Sequence, residues 1–178
     1  MKKLLSVLSC ALILTVFSIT GCVDNSGAGQ CPDFTYSGPD CSISFQCPAG
    51  WQQGTPIPPS VILIAGDLED GLLTNINLVI GTAYGDLETI GETELGILQE
   101  FLPNIELTEK QGIVSLYGKD WFIYSHTYEF TSGTKMDQTQ VLTICGQNYV
   151  VITLTTAEGK LHTAESGLDL LMSTFECS

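Results

Sequence analysis

The chain has no arginine. Its 178 residues carry six cationic side chains, all lysine, against 20 Asp and Glu, for a net charge of −14. Phosphate backbones are gripped by clustered cations and base edges are read largely through bidentate arginine, so this balance excludes nucleic acid as a partner. The same shortage excludes a polybasic patch of the kind that holds an anionic lipid surface. Histidine is also scarce, with His126 and His162 alone. There is no Gly-x-Ser-x-Gly elbow, no His-Glu-x-x-His helix and no phosphate-cradling glycine loop ending in Lys-Ser or Lys-Thr. No nucleophile can be paired with a base, and the chain reads as non-enzymatic, with no cofactor. Hydrophobic residues, at 44%, are enough to build the core of one ordinary domain.

The amino terminus has the order of an export signal. Met1-Lys2-Lys3 is a positive start, and Leu4 to Ile19 is an apolar stretch interrupted only by small or hydroxyl residues, somewhat short of the roughly 20 apolar residues that a membrane-spanning helix needs. Ile19-Thr20-Gly21-Cys22 then resembles the lipobox of prokaryotic lipoproteins. That resemblance implies acylation of the Cys22 sulfur, cleavage before it, and a body tethered to a cell membrane outside the cytoplasm. The thiol is the nucleophile that takes the lipid. Residues 1–21 are thus expected to be a signal peptide and 22–40 the lipidated cysteine with a flexible linker, in which Val23 to Gln30 is polar and glycine-bearing. The domain is expected over 41–178. Without Lys2 and Lys3, four lysines face 20 carboxylates, a net charge of −16.

Beyond the leader Cys10 and Cys22, the cysteines are Cys31, Cys41, Cys47, Cys145 and Cys177. An oxidising compartment favours disulfides. Five thiols leave one over, and the connectivity is open: one local bridge among Cys31, Cys41 and Cys47 is expected, with Cys145 and Cys177 candidates for another. The spacing Cys31-x9-Cys41-x5-Cys47 lacks the short knuckle that structural zinc prefers.

Periodicity places the elements. Ser42-Ile43-Ser44-Phe45 alternates and leads into the turn Pro48-Ala49-Gly50-Trp51; Thr55 to Pro59 is a loop; Val61 to Ala65 is a buried strand ended by the acidic loop Gly66 to Gly71; Asn75 to Ile80 alternates again. Asp86 to Leu102 switches to helical period, with Asp86 as cap, Pro103 as stop, and Gly91 and Gly96 each weakening it by about 1 kcal/mol relative to alanine. Strands are predicted at Gly112 to Tyr117, Trp121 to Phe130, Met136 to Cys145 and Tyr149 to Thr156, the last two joined by a three-residue loop, Gly146-Gln147-Asn148. Leu168, Leu171, Met172 and Phe175 mark a closing amphipathic helix, which His162 precedes. Runs of strands with tight connections, broken by two helices, give an α+β class: an antiparallel β-sheet flanked by two main helices.

Ile43-Ser44-Phe45-Gln46-Cys47-Pro48-Ala49-Gly50-Trp51 resembles the strand-Pro-x-Gly-Trp opening of the PsbP-like and DcrB-like families, whose fold is shared by the Ran-binding Mog protein. Asn75 to Ile80, the Lys135 to Thr156 hairpin with Gln140, and the closing Leu171-Met172-Ser173-Thr174-Phe175 continue the pattern over residues 41 to 176. The resemblance implies an α/β/α sandwich of the Mog/PsbP kind. PsbP proteins are extrinsic accessory proteins of the photosynthetic oxygen-evolving complex and DcrB is an envelope lipoprotein, so it further implies binding and assembly with an envelope protein partner. Each matching motif is a packing motif.

Two constellations could carry a ligand in a second reading, as a carrier or sensor. Phe122, Tyr124, His126, Tyr128 and Phe130 share one strand face by period two, and would line a groove for a small apolar ligand or pack beneath a helix. Asp67, Glu69 and Asp70 are raw material for a calcium ion, although their spacing is not that of an EF-hand, and a solvated acidic turn is the simpler reading; no metal is assigned.

Overall fold

A computed structural model of the chain describes residues 33–38, 41–56, 58–69, 72–102, 104–129 and 133–178, leaving aside the side chains of 67–69 and 73. The expected Cys22 and Cys31, and Asp70 and Phe130, lie outside the described residues.

The body is an α+β sandwich built on antiparallel pairing. In chain order its strands are β1 (Phe34–Ser37), β2 (Ser42–Phe45), β3 (Gln52–Gln53), β4 (Ser60–Glu69) and β5 (Leu72–Thr82), then helix α1 (Leu87–Phe101). Strands β6 (Glu106–Leu116), β7 (Lys119–Glu129), β8 (Lys135–Cys145) and β9 (Asn148–Ala157) follow, then helix α2 (Leu161–Thr174) and β10 (Glu176–Cys177). Seven strands form the main sheet in the order β3-β4-β5-β9-β8-β7-β6, and β1-β2-β10 form a small one.

That order explains where α1 lies. The chain leaves β5 near one side of the sheet and must re-enter at the far edge as β6, so the helix crosses one face before the meander β6-β7-β8-β9 returns to pair with β5. Asp86 caps it, Oδ1 accepting from the Thr89 N–H at 2.8 Å, and hydrogen bonding from the Thr89 side chain, then from its backbone N–H, holds the Asp86 carboxyl below its ordinary range. Leu87, Ile90, Leu95 and Leu98 meet Phe122, Leu142, Val151 and Tyr149 beneath. Contact is closest at Gly91, where a Cβ would stand 2.4 Å from the Phe122 ring. The glycine expected only to weaken the helix is therefore what allows it to reach the sheet.

The opposite face carries α2 and the small sheet. Leu168, Leu171, Met172 and Phe175 pack with Ile43, Phe45, Trp121, Val150 and Ile152 in the larger core cluster. Trp121 is fully buried, edge-on to Phe175 with ring centroids 5.5 Å apart. β9, paired on both edges and covered on both faces, is buried along its whole length, whereas no residue of edge strand β6 is buried.

Several boundaries differ from expectation. β1 lies inside the stretch 22–40 assigned to the linker and pairs with β2, so the folded body reaches back beyond 41. Gly66 to Glu69 belong to β4, not to an acidic loop: Leu68 and Glu69 pair with Leu73 and Leu72 of β5, beyond a register shift that takes in Gly66 and Asp67. β6 starts at Glu106 instead of Gly112. Cys145 faces Asn148, which makes the β8–β9 connection two residues, with Gly146 at φ 62° supplying the left-handed backbone that a glycine-first hairpin turn needs. His162 is exposed within the first turn of α2.

Candidate functional site

The aromatic stripe of β7 is a packed face. Phe122, Tyr124, His126 and Tyr128 are each at most 2% exposed. Phe122 and Tyr124 belong to the cluster under α1, and Tyr128 joins Leu72, Met136 and Ala157 in a separate one. The groove that sequence periodicity allowed on these residues is therefore filled.

Between the two clusters runs a band that sequence reading missed. Register places Tyr124 beside Gln140, Gln140 beside Thr153, and Thr153 beside Asn77, across four strands. One row away stand His126, Gln138, Thr155 and Asn75. Inward-facing side chains of a sheet core are normally apolar, and eight polar ones in two rows interrupt that rule. Tyr124 Oη donates to Gln140 Oε1. His126 Nε2 lies 3.0 Å from Gln138 Oε1, and Gln138 Nε2 donates to Thr155 Oγ1 at 2.8 Å. With the amide nitrogen placed on Thr155, Gln138 Oε1 accepts from His126 Nε2–H, the tautomer that leaves a lone pair on Nδ1. Burial outweighs the Gln138 bond and the field of Asp137, and pushes the His126 pKa down to about 4. Burial likewise pushes the Tyr128 hydroxyl up. The hydrogen-bond partner of the ring is thus an amide. At the margin of the apolar cluster, Tyr149 Oη donates to Glu94 Oε1 at 2.9 Å, a carboxylate brought by α1 to 1% exposure.

The remaining expected sites fall elsewhere. Cys145 and Cys177 form a disulfide, Cα atoms 5.9 Å apart, tying β8 to β10 and hence the main sheet to the small one. Cys47 is also disulfide-bonded, and Cys41 is buried in the larger core cluster. Beside the Cys145–Cys177 bridge an open cleft of about 360 Å³ is lined by Ser42, Ser44, Lys119 and Glu176. Among the described residues no three His, Cys, Asp or Glu side chains gather to hold a metal ion. No helix among them is long and apolar enough to cross a membrane. Exposed apolar side chains collect on the β6 edge and its turn: Leu107, Ile113, Leu116 and Tyr117.

The described residues form a two-helix antiparallel sandwich with a second small sheet. The fold is PsbP-like. The solution structure of cyanobacterial PsbP (CyanoP) from Synechocystis sp. PCC 6803 superposes with a TM-score of 0.57 at 15% identity, covering 89% of this chain and all of that one. LpqN of Mycobacterium tuberculosis, described as involved in cell envelope biogenesis, gives 0.55 at 13% identity over 82% of this chain and 90% of its own. PA94 of Pseudomonas aeruginosa, a protein of unknown function, gives 0.52 at 13% identity over 80% and 94%. No protein-family model and no curated protein sequence matches the chain. At such identities the likeness fixes the fold and leaves the site to be argued from its own residues.

Proposed function

We propose that this chain is an exported lipoprotein, acylated at Cys22 and held at the extracytoplasmic side of a cell membrane, whose PsbP-like body is a non-enzymatic accessory module that binds an envelope protein partner. The lipobox residues Ile19 to Cys22 support the anchor, and the likeness to LpqN supports an envelope setting. The observation that carries the binding role is strand β6. It is an 11-residue sheet edge with no buried residue, and it displays Leu107, Ile113 and Leu116 beside Tyr117. An exposed edge offers unpaired backbone groups to an incoming strand, and exposed apolar side chains add the surface such a partner covers. Register shifts after Leu107 and Lys110, with Glu106, Glu109 and Lys110 along the edge, guard against indiscriminate pairing.

A photo-crosslinking residue at position 113, introduced in cells, is expected to give a discrete membrane-associated adduct. The same residue at position 165, on the exposed face of α2, is expected to give none. Equal or absent adducts at the two positions would remove β6 as the binding edge.

A further inference from the structure

The two faces of β6 carry different chemistry. Directly opposed residues of antiparallel strands point to the same side of a sheet, so the pairing with β7 sorts the strand. Leu107 faces His126, Lys110 faces Tyr124 and Ile113 faces Phe122, which puts all three on the side covered by α1. Glu106 faces Thr127, Glu109 faces Ser125 and Val114 faces Trp121, which puts these three on the side covered by α2. The two register shifts preserve this sorting, because each inserts one residue, Thr108 or Gln111, that has no facing partner on β7.

Exposure shows what each face offers at the edge. On the α1 side Leu107 is 39% and Ile113 47% exposed, although His126 and Phe122 beside them are buried. The core of that face therefore ends in an uncovered apolar shelf one strand wide. Lys110, the single lysine of β6, lies between the two and is already neutralised, its Nζ standing 2.6 Å from a Glu92 carboxylate oxygen of α1. On the α2 side Glu106 and Glu109 are exposed carboxylates. Glu109 accepts from the Gln111 amide at 2.9 Å, and neither carboxylate has a lysine partner among the described residues.

This division defines the occupant. A strand added to β6 directs alternate side chains to opposite faces. One set covers Leu107 and Ile113, where apolar residues gain most. The other set meets Glu106 and Glu109, where an apolar residue would strip water from the carboxylates without compensation and an acidic one would repel them. Lysine or arginine answers both demands. A second copy of this chain is disfavoured, since it brings a net charge of −14 and the same two carboxylates.

We propose that β6 docks an extended segment of a partner protein in which apolar residues alternate with lysine or arginine, the apolar side chains resting on Leu107 and Ile113 and the cations meeting Glu106 and Glu109. The inference rests on the reading of β6 as the docking edge and adds the chemistry of the partner to it.

Mature full-length protein in neutral detergent is titrated into three fluorescent ten-residue peptides, followed by anisotropy: lysine and valine in strict alternation, glutamate and valine in strict alternation, and five lysines followed by five valines. The first is expected to bind saturably with a midpoint on the order of 100 µM, at least about tenfold more tightly than the other two. Glu106→Lys/Glu109→Lys is expected to weaken it about tenfold, and Ile113→Thr about threefold. Glu100→Lys/Glu165→Lys makes the same change of charge at exposed helix positions and is expected to leave binding within about twofold. Equal binding of the three peptides, or equal weakening by the two lysine pairs, would overturn the proposal. So would a crosslink from position 113 that joins two copies of this chain, which would give the edge to self-association. In cells, Glu106→Lys/Glu109→Lys is expected to abolish the adduct formed from position 113. An adduct that persists would overturn the cationic partner while leaving β6 as the docking edge, whereas a parent protein that gives no adduct would remove the edge itself.

Discussion

Gly91 and Gly96 sit in the same helix, five positions apart, and their substitution by alanine is predicted to act in opposite directions. Intrinsic propensity favours alanine at both by about 1 kcal/mol. At Gly96, which is exposed, an added Cβ meets nothing within 4 Å, so Gly96→Ala should gain most of that amount. At Gly91 the added Cβ would stand 2.4 Å from two carbons of the Phe122 ring and 2.7 Å from a third. Phe122 cannot yield, because it is itself 1% exposed and wedged among Leu142, Val151 and Tyr124. Overpacking of this kind costs about 1–3 kcal/mol. The net for Gly91→Ala is therefore a loss of up to about 2 kcal/mol, and the two variants should differ by about 1–3 kcal/mol. Urea unfolding of the disulfide-intact protein reads this as midpoints displaced to opposite sides of the parent at unchanged slope. Combining Gly91→Ala with Phe122→Leu should recover part of the loss, giving a coupling of at least about 0.5 kcal/mol. If the two alanine variants were equally stabilised, the close seat of α1 on β7 would be wrong.

Three further outcomes follow from the site and the core. His126, held neutral with its pKa near 4 against an ordinary 6.5, binds fewer protons folded than unfolded between those values. Its contribution is thus intact above pH 6.5 and is lost as pH falls toward 4, by about 3 kcal/mol. A His126→Gln protein should show that much less stability loss over the window, and parallel pH curves would refute the assignment. Replacing Cys145 and Cys177 by serine opens a link spanning 32 residues, expected to lower unfolding free energy by about 3–4 kcal/mol; guanidinium midpoints matching those of the parent would contradict it. Tyr149→Phe withdraws a hydrogen bond from the buried Glu94 carboxyl group and should cost about 1–3 kcal/mol, a melting shift of several degrees in calorimetry; an unchanged melting temperature would refute a contribution of that bond to stability.

The parts of this fold legible in sequence are those whose periodicity has a buried face to report. β7, β8 and β9 lie within three residues of expectation at every end, and α1 keeps its Asp86 cap, because apolar side chains there recur with the period of the element. β6 was half missed for the converse reason. Glu106-Leu107-Thr108-Glu109-Lys110-Gln111 is exposed throughout, so nothing in its pattern distinguishes strand from loop. Gly66 to Glu69 misled in the same way: composition reads as a turn, while pairing with β5 makes it strand. The polar band was hidden by a sound inference applied where it fails. Asn77 and Thr153 alternate with apolar residues while Gln138 and Gln140 fall in the polar run Asp137 to Gln140, and both patterns are ordinarily read as a wet face. The one signal available was the β7–β8 register, since pairing Glu129 with Lys135 sets Tyr124 against Gln140 and His126 against Gln138, aromatic residues beside amides that only a buried network would bring together.

The anchored-module account stands most directly on the chemical state of Cys22. Intact mass spectrometry of protein extracted from membranes in detergent should give a chain beginning at Cys22 and heavier than its polypeptide by a diacylglyceryl group, with Cys22→Ser protein failing to acquire it. A membrane-extracted chain that retains residues 1–21, or one that begins at Cys22 with a bare thiol, would contradict the account.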